Sequence, residues 1–490
     1  MLYDQIHNTL LKKGVNTMTG DIYDYIANWK EWYMGNVATF HYYNLKLASG
    51  LTKKCEKLTM NMPKKVCEDY AKLLWSEKVK ISLDSEEKTK KFWEIIDSKK
   101  NNFSVNFPRS IERAFALGTG ALVEYKVNDE IKIDYIDGDI VIPYKYDNSY
   151  ISGMITISTF IEGTDKAKIY YTHLTYHEFN GTDYKKYNEL YKSKVANELG
   201  KEVDFAIKFP NVENPVIIVT DTPHFQVLRP NIANNLCFDT PMGISILANH
   251  IDKFKAIDDK YDSFSNEFKL GRKRILVDKS AIKKTAQTDN TGAVTYVSYF
   301  DENDTVYQAI AGMESQPTKE IDFTLRYEEH IKSINADLNW LSAGVGLGQG
   351  FYSFEKDGLK TATEVISDNS DTYRSKVSHQ IVIKDIVYDL VKSILNLAGM
   401  ESKEIKVEFD DSIIEDDTAR RKEGREKVTA GLLSKKSYLM DYEGMTEEEA
   451  DEELLMIAED NKQVMPEGMD FFNGGGDDTT TNTKPNTGVS

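Results

Sequence analysis

Leu359-Lys-Thr-Ala-Thr-Glu-Val-Ile-Ser367 marks a boundary between two kinds of sequence. After it, Val365, Ile366, Tyr373, Val377, Ile381, Val382, Ile386, Leu390, Ile394 and Leu395 recur at helical steps, which predicts one very long amphipathic helix from about 362 to 399, with Gly399 as its cap. Before it stands Gly344-Val-Gly-Leu-Gly-Gln-Gly350, then Phe351, Tyr352, Phe354 and Lys356. Glycine at Gly344, Gly346, Gly348 and Gly350 relaxes the backbone, so this stretch reads as a flexible loop with bulky tips. A second helical pattern, Leu325 to Leu341, leads into the loop, with Ile331, Ile334, Leu338 and Leu341 on one side.

Further outward, Leu247, Ile251, Phe254, Ile257, Tyr261, Phe264 and Phe268 form one narrow stripe, about 28 residues or roughly 40 Å of helix. So narrow a stripe suits packing against neighbouring helices better than burial inside a globule. It stops at Gly271. Between the two striped helices, Arg274 to Asp278 and Val294 to Phe300 read as strands around a polar turn, Gln287 to Gly292. Lys269, Arg272, Lys273, Arg274, Lys279, Lys283 and Lys284 concentrate positive charge there. Such a cluster is either a solvated patch or a contact for an acidic partner or DNA phosphate.

The N-terminal half combines helices with a β meander. The first 60 residues read as helical in pieces, through Ile22, Tyr25, Ile26, Trp29 and Trp32. Asn61-Met-Pro63 opens another helix through Val66, Tyr70 and Leu74, Val79 to Leu83 alternates like a strand, and helices follow at Phe92 to Ile96 and Ile111 to Leu117. After Gly118-Thr-Gly120 the period becomes two. Ala121 to Lys126, Ile131 to Tyr135, Ile155 to Ile157, Lys168 to His173 and Ala206 to Phe209 are expected as antiparallel strands. The fold class is therefore α+β. Toward the C-terminus, Ile405 to Phe409 is a short strand, and Thr418 to Asp460 is helical with breaks at Gly431 and Gly444. Thr446-Glu-Glu-Glu449 forms a capping-box pattern, and the polar stretch 463–490 is expected to be disordered.

At 490 residues the chain exceeds a single core, and a net charge of -18 argues against a protein that grips DNA tightly. No long apolar run suggests a membrane span, and the N-terminus lacks a signal-peptide pattern, so residence in a cytosol is expected. Cys55, Cys67 and Cys237 form no CxxC and read as reduced structural residues. The glycine loop is not a phosphate loop, because Phe351-Tyr352 follow where Lys-Ser/Thr is needed, and a helix precedes where a dinucleotide fold needs a strand. His173 and His177 share a strand face without a third ligand and read as surface histidines. Asp410-Asp411 with Glu415-Asp416-Asp417, and Asp134 with Asp137 and Asp139, read as solvated turns and caps more readily than as ion sites. Without a nucleophile–base pair or a catalytic carboxylate pair, the chain is expected to be no enzyme and to need no metal or cofactor.

The order of these elements resembles tailed-phage portal proteins of the Gram-positive siphophage type, over roughly residues 20 to 460. The segments carrying the resemblance are Asn61-Met-Pro-Lys-Lys-Val-Cys-Glu-Asp-Tyr-Ala71, Leu117-Gly-Thr-Gly-Ala121, Ile257-Asp-Asp-Lys-Tyr-Asp262, Lys360-Thr-Ala-Thr-Glu-Val365 and Gly431-Leu-Leu-Ser-Lys435. The resemblance implies a wing from 1–240 and 361–409, stem helices in 241–271 and 319–343, a clip in 272–318, a tunnel loop in 344–360, and a crown in 410–462. It further implies a homo-oligomeric ring of about twelve subunits at one capsid vertex, with double-stranded DNA passing through it unread. The implied partners are the terminase large subunit, the major capsid or scaffold protein and the head-completion adaptor, in the virion and in the host cytoplasm during assembly. Gly344, Gly346, Gly348, Gly350, Phe351, Tyr352, Phe354 and Lys356 would face DNA, and Arg272, Lys273, Arg274, Lys279, Lys283 and Lys284 would meet DNA or a partner. Another virion structural protein, capsid-associated or a tail adaptor, is the alternative. A packaging ATPase would need the absent Walker loop.

Overall fold

The computed structural model describes residues 2–17, 20–46, 50–75, 79–164, 167–271, 274–278, 284–288, 294–298, 307–310, 318–321, 324–354, 362–409 and 417–464. Two compact units result, residues 1–414 and 415–490. The architecture is α+β.

In the first unit, helices Leu2–Lys12 and Asp21–Tyr33 bury Ile6, Leu10, Ile22, Ile26 and Trp29 against the apolar face of a large antiparallel sheet, where Ile142, Ile155, Leu174 and Tyr176 receive them. The sheet runs Lys201–Val203, Asp183–Ser193, Ile169–Phe179, Tyr150–Glu162, Val141–Asp147, and Val216–Val219 joins the same side of Asp183–Ser193. A smaller sheet pairs Phe225–Leu228, Gly120–Val127 and Glu130–Asp137.

The main core lies among helices. Met62–Leu74, Phe103–Leu117, the start of Ile251–Leu270, the end of Tyr327–Gly344 and the second half of Ala362–Ala398 meet there through Val66, Tyr70, Phe107, Phe115, Phe254, Ile257, Leu341, Ile383, Val387 and Leu390. The long helix spans the expected residues and ends in a Schellman cap. Gly399, with φ +64°, donates to the Asn396 carbonyl at 3.1 Å, and the Met400 amide donates to the Leu395 carbonyl at 2.9 Å. The return strand Ile405–Glu408 pairs antiparallel with Lys80–Leu83, joining two strands far apart in sequence. Gly118 (φ +78°) ends the helix Phe103–Leu117 where a Cβ would fall 2.7 Å from the Ser245 amide nitrogen, so only glycine fits.

Three expectations need correction. Tyr42–Lys46 and Thr52–Glu56 pair as the two antiparallel strands of a hairpin, and are not helix. Its residues are almost all exposed, so no apolar period announces it. Phe205–Ile207 is a 3₁₀ turn rather than strand, because Asp204 caps the Ala206 amide at 3.0 Å. The first striped helix begins at Ile251, after the 3₁₀ turn Ala248–His250, so Leu247 lies ahead of the helix proper.

Between the striped helices, Arg274–Asp278 pairs in parallel with Tyr307–Ile310 and antiparallel with Thr318–Ile321, while Lys284–Thr288 and Val294–Ser298 form a hairpin. The second unit holds helices Asp417–Thr429, Lys435–Glu443 and Glu447–Val464. Its capping box forms as expected: Thr446 Oγ1 accepts from the Glu449 amide at 3.3 Å, and Glu449 accepts from the Thr446 amide at 2.9 Å.

Candidate functional site

The two striped helices, Ile251–Leu270 and Tyr327–Gly344, run antiparallel. Near one end Glu267 accepts from Arg326 Nε (3.1 Å), Nη2 (2.9 Å) and backbone N (3.0 Å), and lies 2.6 Å from His330 Nε2. These hydrogen bonds, with those from Arg326 strongest, hold the Glu267 carboxyl down at about 2. Midway Lys260 pairs with Asp337 at 2.6 Å, and at the far end Lys253 donates to the Trp340 carbonyl at 3.0 Å. The seam buries Phe254, Ile257, Ile334, Leu338 and Leu341, while Phe268, Tyr327 and Trp340 remain exposed on the pair.

The glycine loop leaves the second of these helices through another Schellman cap. Gly346, at φ +84°, donates to the Ala343 carbonyl at 3.2 Å, and the Leu347 amide donates to the Ser342 carbonyl at 2.8 Å. A Cβ on Gly346 would lie 2.9 Å from Ser375 Oγ and 3.2 Å from the Tyr70 hydroxyl, so glycine is needed for shape as well as for φ. Tyr70 of the helix Met62–Leu74 is buried; its hydroxyl donates to the Val345 carbonyl and lies 2.8 Å from Ser375 Oγ of the long helix. Thr372, one turn earlier on that helix, accepts from the Gly348 amide at 2.9 Å. Gly350 (φ +82°) then lets Phe351 N close a turn on the Gly348 carbonyl at 3.1 Å.

The aromatic tips separate at this point. Tyr352 is 7% exposed: its amide donates to Ser342 Oγ at 3.1 Å, and its hydroxyl donates to Asp69 Oδ2 at 3.0 Å. Burial first, then the Asp69 carboxylate, push the Tyr352 phenol far above its ordinary value. Phe351 and Phe354 are 42% and 57% exposed, and Phe354 N is held by Asn335 Oδ1 at 3.0 Å. The base of the loop is thus tied to three helices, while Phe351 and Phe354 remain exposed at its tip. Two of its glycines serve a helix cap and a turn. Gly344 ends the helix itself, and Lys356 lies outside the described residues.

The chain matches the family described as phage portal protein, SPP1 Gp6-like, over residues 20–467. It belongs to that family. No curated protein matches it. Among solved structures it is similar to a chain of an assembly described as the neck of a native GTA particle computed with C12 symmetry. That likeness has 11% identity, covers 78% of this chain and 89% of that chain, and has a TM-score of 0.37, too low to carry an argument.

Within this portal-family chain, the segments that carried the resemblance acquire local roles. Asp69 and Tyr70 hold the loop. Asp258 and Asp262 accept from the amides of Met60 (2.8 Å) and Leu58 (3.2 Å), and Asp259 pairs with Lys57 at 2.7 Å. Of the basic cluster, Arg272, Lys273, Lys279 and Lys283 lie outside the described residues. Arg274 opens one strand opposite Ile321, and Lys284 opens another opposite Ser298.

His173 and His177 are not surface residues. His177 is buried, with Nδ1 2.7 Å from the Tyr184 hydroxyl, and His173 lies 2.9 Å from Asn188 Oδ1 beneath the rings of Phe205 and Phe209. Burial lowers both imidazoles, His177 to about 3, so both are neutral. Asp137 and Asp139 pair with Arg113 (3.2 Å) and Lys30 (2.5 Å), while Asp134 accepts from Tyr125 (3.1 Å). Among the described residues no acidic or histidine group is arranged to hold a metal ion. Nor is any helix among them long and apolar enough to cross a membrane.

One constellation escaped sequence reading. Ser393 of the long helix bonds both to Glu124 Oε2 (2.8 Å) and to His224 Nδ1 (2.8 Å), three residues far apart in the chain. The serine stands between the acid and the histidine, where a nucleophile would need the histidine in the middle, and all three side chains are buried. Burial raises Glu124 to about 8 and lowers His224 to about 4, so near neutral pH the cluster is an uncharged fastening of the long helix to the smaller sheet. Its geometry is that of a clamp.

Proposed function

We propose that this chain is a portal subunit of the Gram-positive siphophage type, about twelve copies of which form a ring around a DNA channel at one capsid vertex. The observation that carries this reading is the family match over residues 20–467. The antiparallel pair with its strand insert, leading into an anchored loop with exposed phenylalanines, supports it. In this reading 1–240 and 361–409 are wing, 241–271 and 319–343 are stem, 272–318 is clip, 344–360 is tunnel loop and 410–462 is crown. The exposed Phe268, Tyr327 and Trp340 would pack on neighbouring stems. Phe351 and Phe354 would face the bore and touch DNA by shape, and the acidic balance of the chain would let DNA slide. The clip would meet the terminase large subunit and later the head-completion adaptor, and the wing would meet the capsid or scaffold protein. Packaging and ejection would pass through the channel without catalysis by this chain.

Negative-stain electron microscopy of the purified protein is the test, with rings around an open centre as the expected result. Filaments or shells would overturn the reading in favour of another virion structural role. For the loop, exchanging Phe351 and Phe354 for alanine should leave ring formation intact and reduce the yield of packaged heads. Normal packaging by that variant would remove these two residues from the tunnel.

A further inference from the structure

The hairpin Tyr42–Lys46 with Thr52–Glu56 is rigid at its base and bare along its length. At the base, His41 accepts from the Val37 amide at 2.9 Å through Nδ1, so its Nε2 proton points to Asp258 Oδ2, 3.2 Å away, and both side chains are buried. The His41 carbonyl accepts from the Lys57 amide at 2.8 Å. Asp258, Asp259 and Asp262 of the first stripe helix then catch residues 57–60 as described above. The arm therefore leaves that helix at a fixed place.

Beyond the base its strands stand exposed among the described residues. Tyr42 and Leu45 are each 47% exposed and Tyr43 is 40% exposed, although Tyr42 lies on one face of the hairpin and Tyr43 and Leu45 on the other. Each strand pairs only with the other, so among the described residues both outer edges carry free N–H and C=O groups. A two-stranded hairpin with neither face buried is marginal in water, and open edges invite pairing. Charge narrows the choice of cover. The strands carry Lys46, Lys53 and Lys54 against Glu56 alone, in a chain of net charge -18, and no described carboxylate pairs with those three lysines.

We propose that this hairpin is an arm that docks on a second copy of the chain, its lysines against the copy's carboxylates and Tyr42, Tyr43 and Leu45 in apolar contact. The proposal rests on the ring reading above and names a surface for it. Duplex DNA would satisfy the lysines but leave the apolar side chains and strand edges uncovered, whereas an acidic protein surface satisfies all three.

The test mixes ¹⁵N-labelled and unlabelled full-length chains under assembly conditions and joins lysine to carboxylate with a zero-length carbodiimide. Mass spectrometry should find Lys53 or Lys54 peptides joined to acidic peptides of the opposite label. In parallel, a Tyr43→Asp, Lys53→Glu, Lys54→Glu variant should assemble at least about tenfold more weakly by mass photometry, with an unchanged subunit melt. Rings that form equally well from the variant and carry no mixed-label arm links would overturn the proposal and leave the ring reading standing. So would a variant that assembles normally but loses retention of a duplex oligonucleotide. An unaltered chain that stays single at every concentration would remove the ring reading itself, and the arm proposal with it.

Discussion

The glycine loop and the hairpin arm are both fastened to the stripe helices by polar contacts, yet they end in opposite states. The loop turns back: Tyr352 goes inward to Asp69, backbone amides are caught by Ser342, Thr372 and Asn335, and two phenylalanines are left outside. The arm is gripped just as firmly at Asp258 but returns nothing to its own chain's core. A glycine-rich composition thus does not make a segment loose, and a regular hairpin is not necessarily self-sufficient. What decides is where the backbone and apolar groups find partners, within the subunit for the loop base and beyond it for the arm.

The sharpest way to break that contrast is at Tyr70, beneath the loop. It is buried, packs edge-on against His379 with ring centroids 5.4 Å apart, and supports Val345 through its hydroxyl. Tyr70→Ala should cost about 3–5 kcal/mol, as for other large-to-small core changes, seen as a lower denaturation midpoint. Tyr70→Phe should cost only about 1 kcal/mol, since it removes the hydroxyl alone. Equal melts for wild type and the alanine variant would show that the loop base is not held here.

The long helix that carries Thr372 and Ser375 under the loop is itself clamped at Ser393, and that clamp is sensitive to pH. Glu124, raised to about 8 by burial, keeps its proton in the folded chain across a range where the unfolded chain has lost it. Its contribution is therefore complete below the ordinary carboxyl value and is lost as pH rises toward 8, by up to several kcal/mol. His224, lowered to about 4, acts oppositely, and its contribution falls away only as pH drops below its ordinary range toward 4. Glu124→Gln should thus gain stability relative to wild type between pH 6.5 and 8. Denaturation midpoints that stay parallel through that window would contradict the assignment.

Much of this architecture was legible in the sequence, for identifiable reasons. The long helix, its Gly399 cap, the striped helices and the Thr446–Glu449 capping box are all local patterns, in which period or spacing alone carries the information. The glycine-rich stretch after the second striped helix is plain in the sequence, but the fate of Tyr352 is not, because its partner Asp69 is 283 residues away. The Glu124–Ser393–His224 clamp was hidden for the same reason, since contacts of that range have no period to betray them. The hairpin was missed through the opposite fault: residues exposed on both faces leave no alternation to read. Ala206 to Phe209 reads as a strand because a segment that lids His173 must be apolar too.

A smaller change refines the loop half of the comparison. Tyr352→Phe removes one hydrogen bond to a charged acceptor while keeping the ring, and should cost about 1–2 kcal/mol. The effect should be concentrated locally, as faster amide exchange at residues 348–354 with little change in the long helix. Uniform exchange across the chain would mean that the Tyr352–Asp69 contact does not hold the loop.

The smallest effect on the subunit belongs to the arm. Lys53 and Lys54 are exposed, touch no described carboxylate and lie on strands whose residues are almost all exposed. Reversing both charges should therefore shift subunit stability by less than about 0.5 kcal/mol, the ordinary range for surface changes. Tyr352→Phe, chemically milder, should cost the subunit more than this double reversal, because its hydroxyl is satisfied inside the fold. If the arm variant instead melts markedly lower as an isolated subunit, the hairpin is contributing to its own chain's stability. The distinction between a segment completed within the subunit and one completed outside it would then fail at the arm.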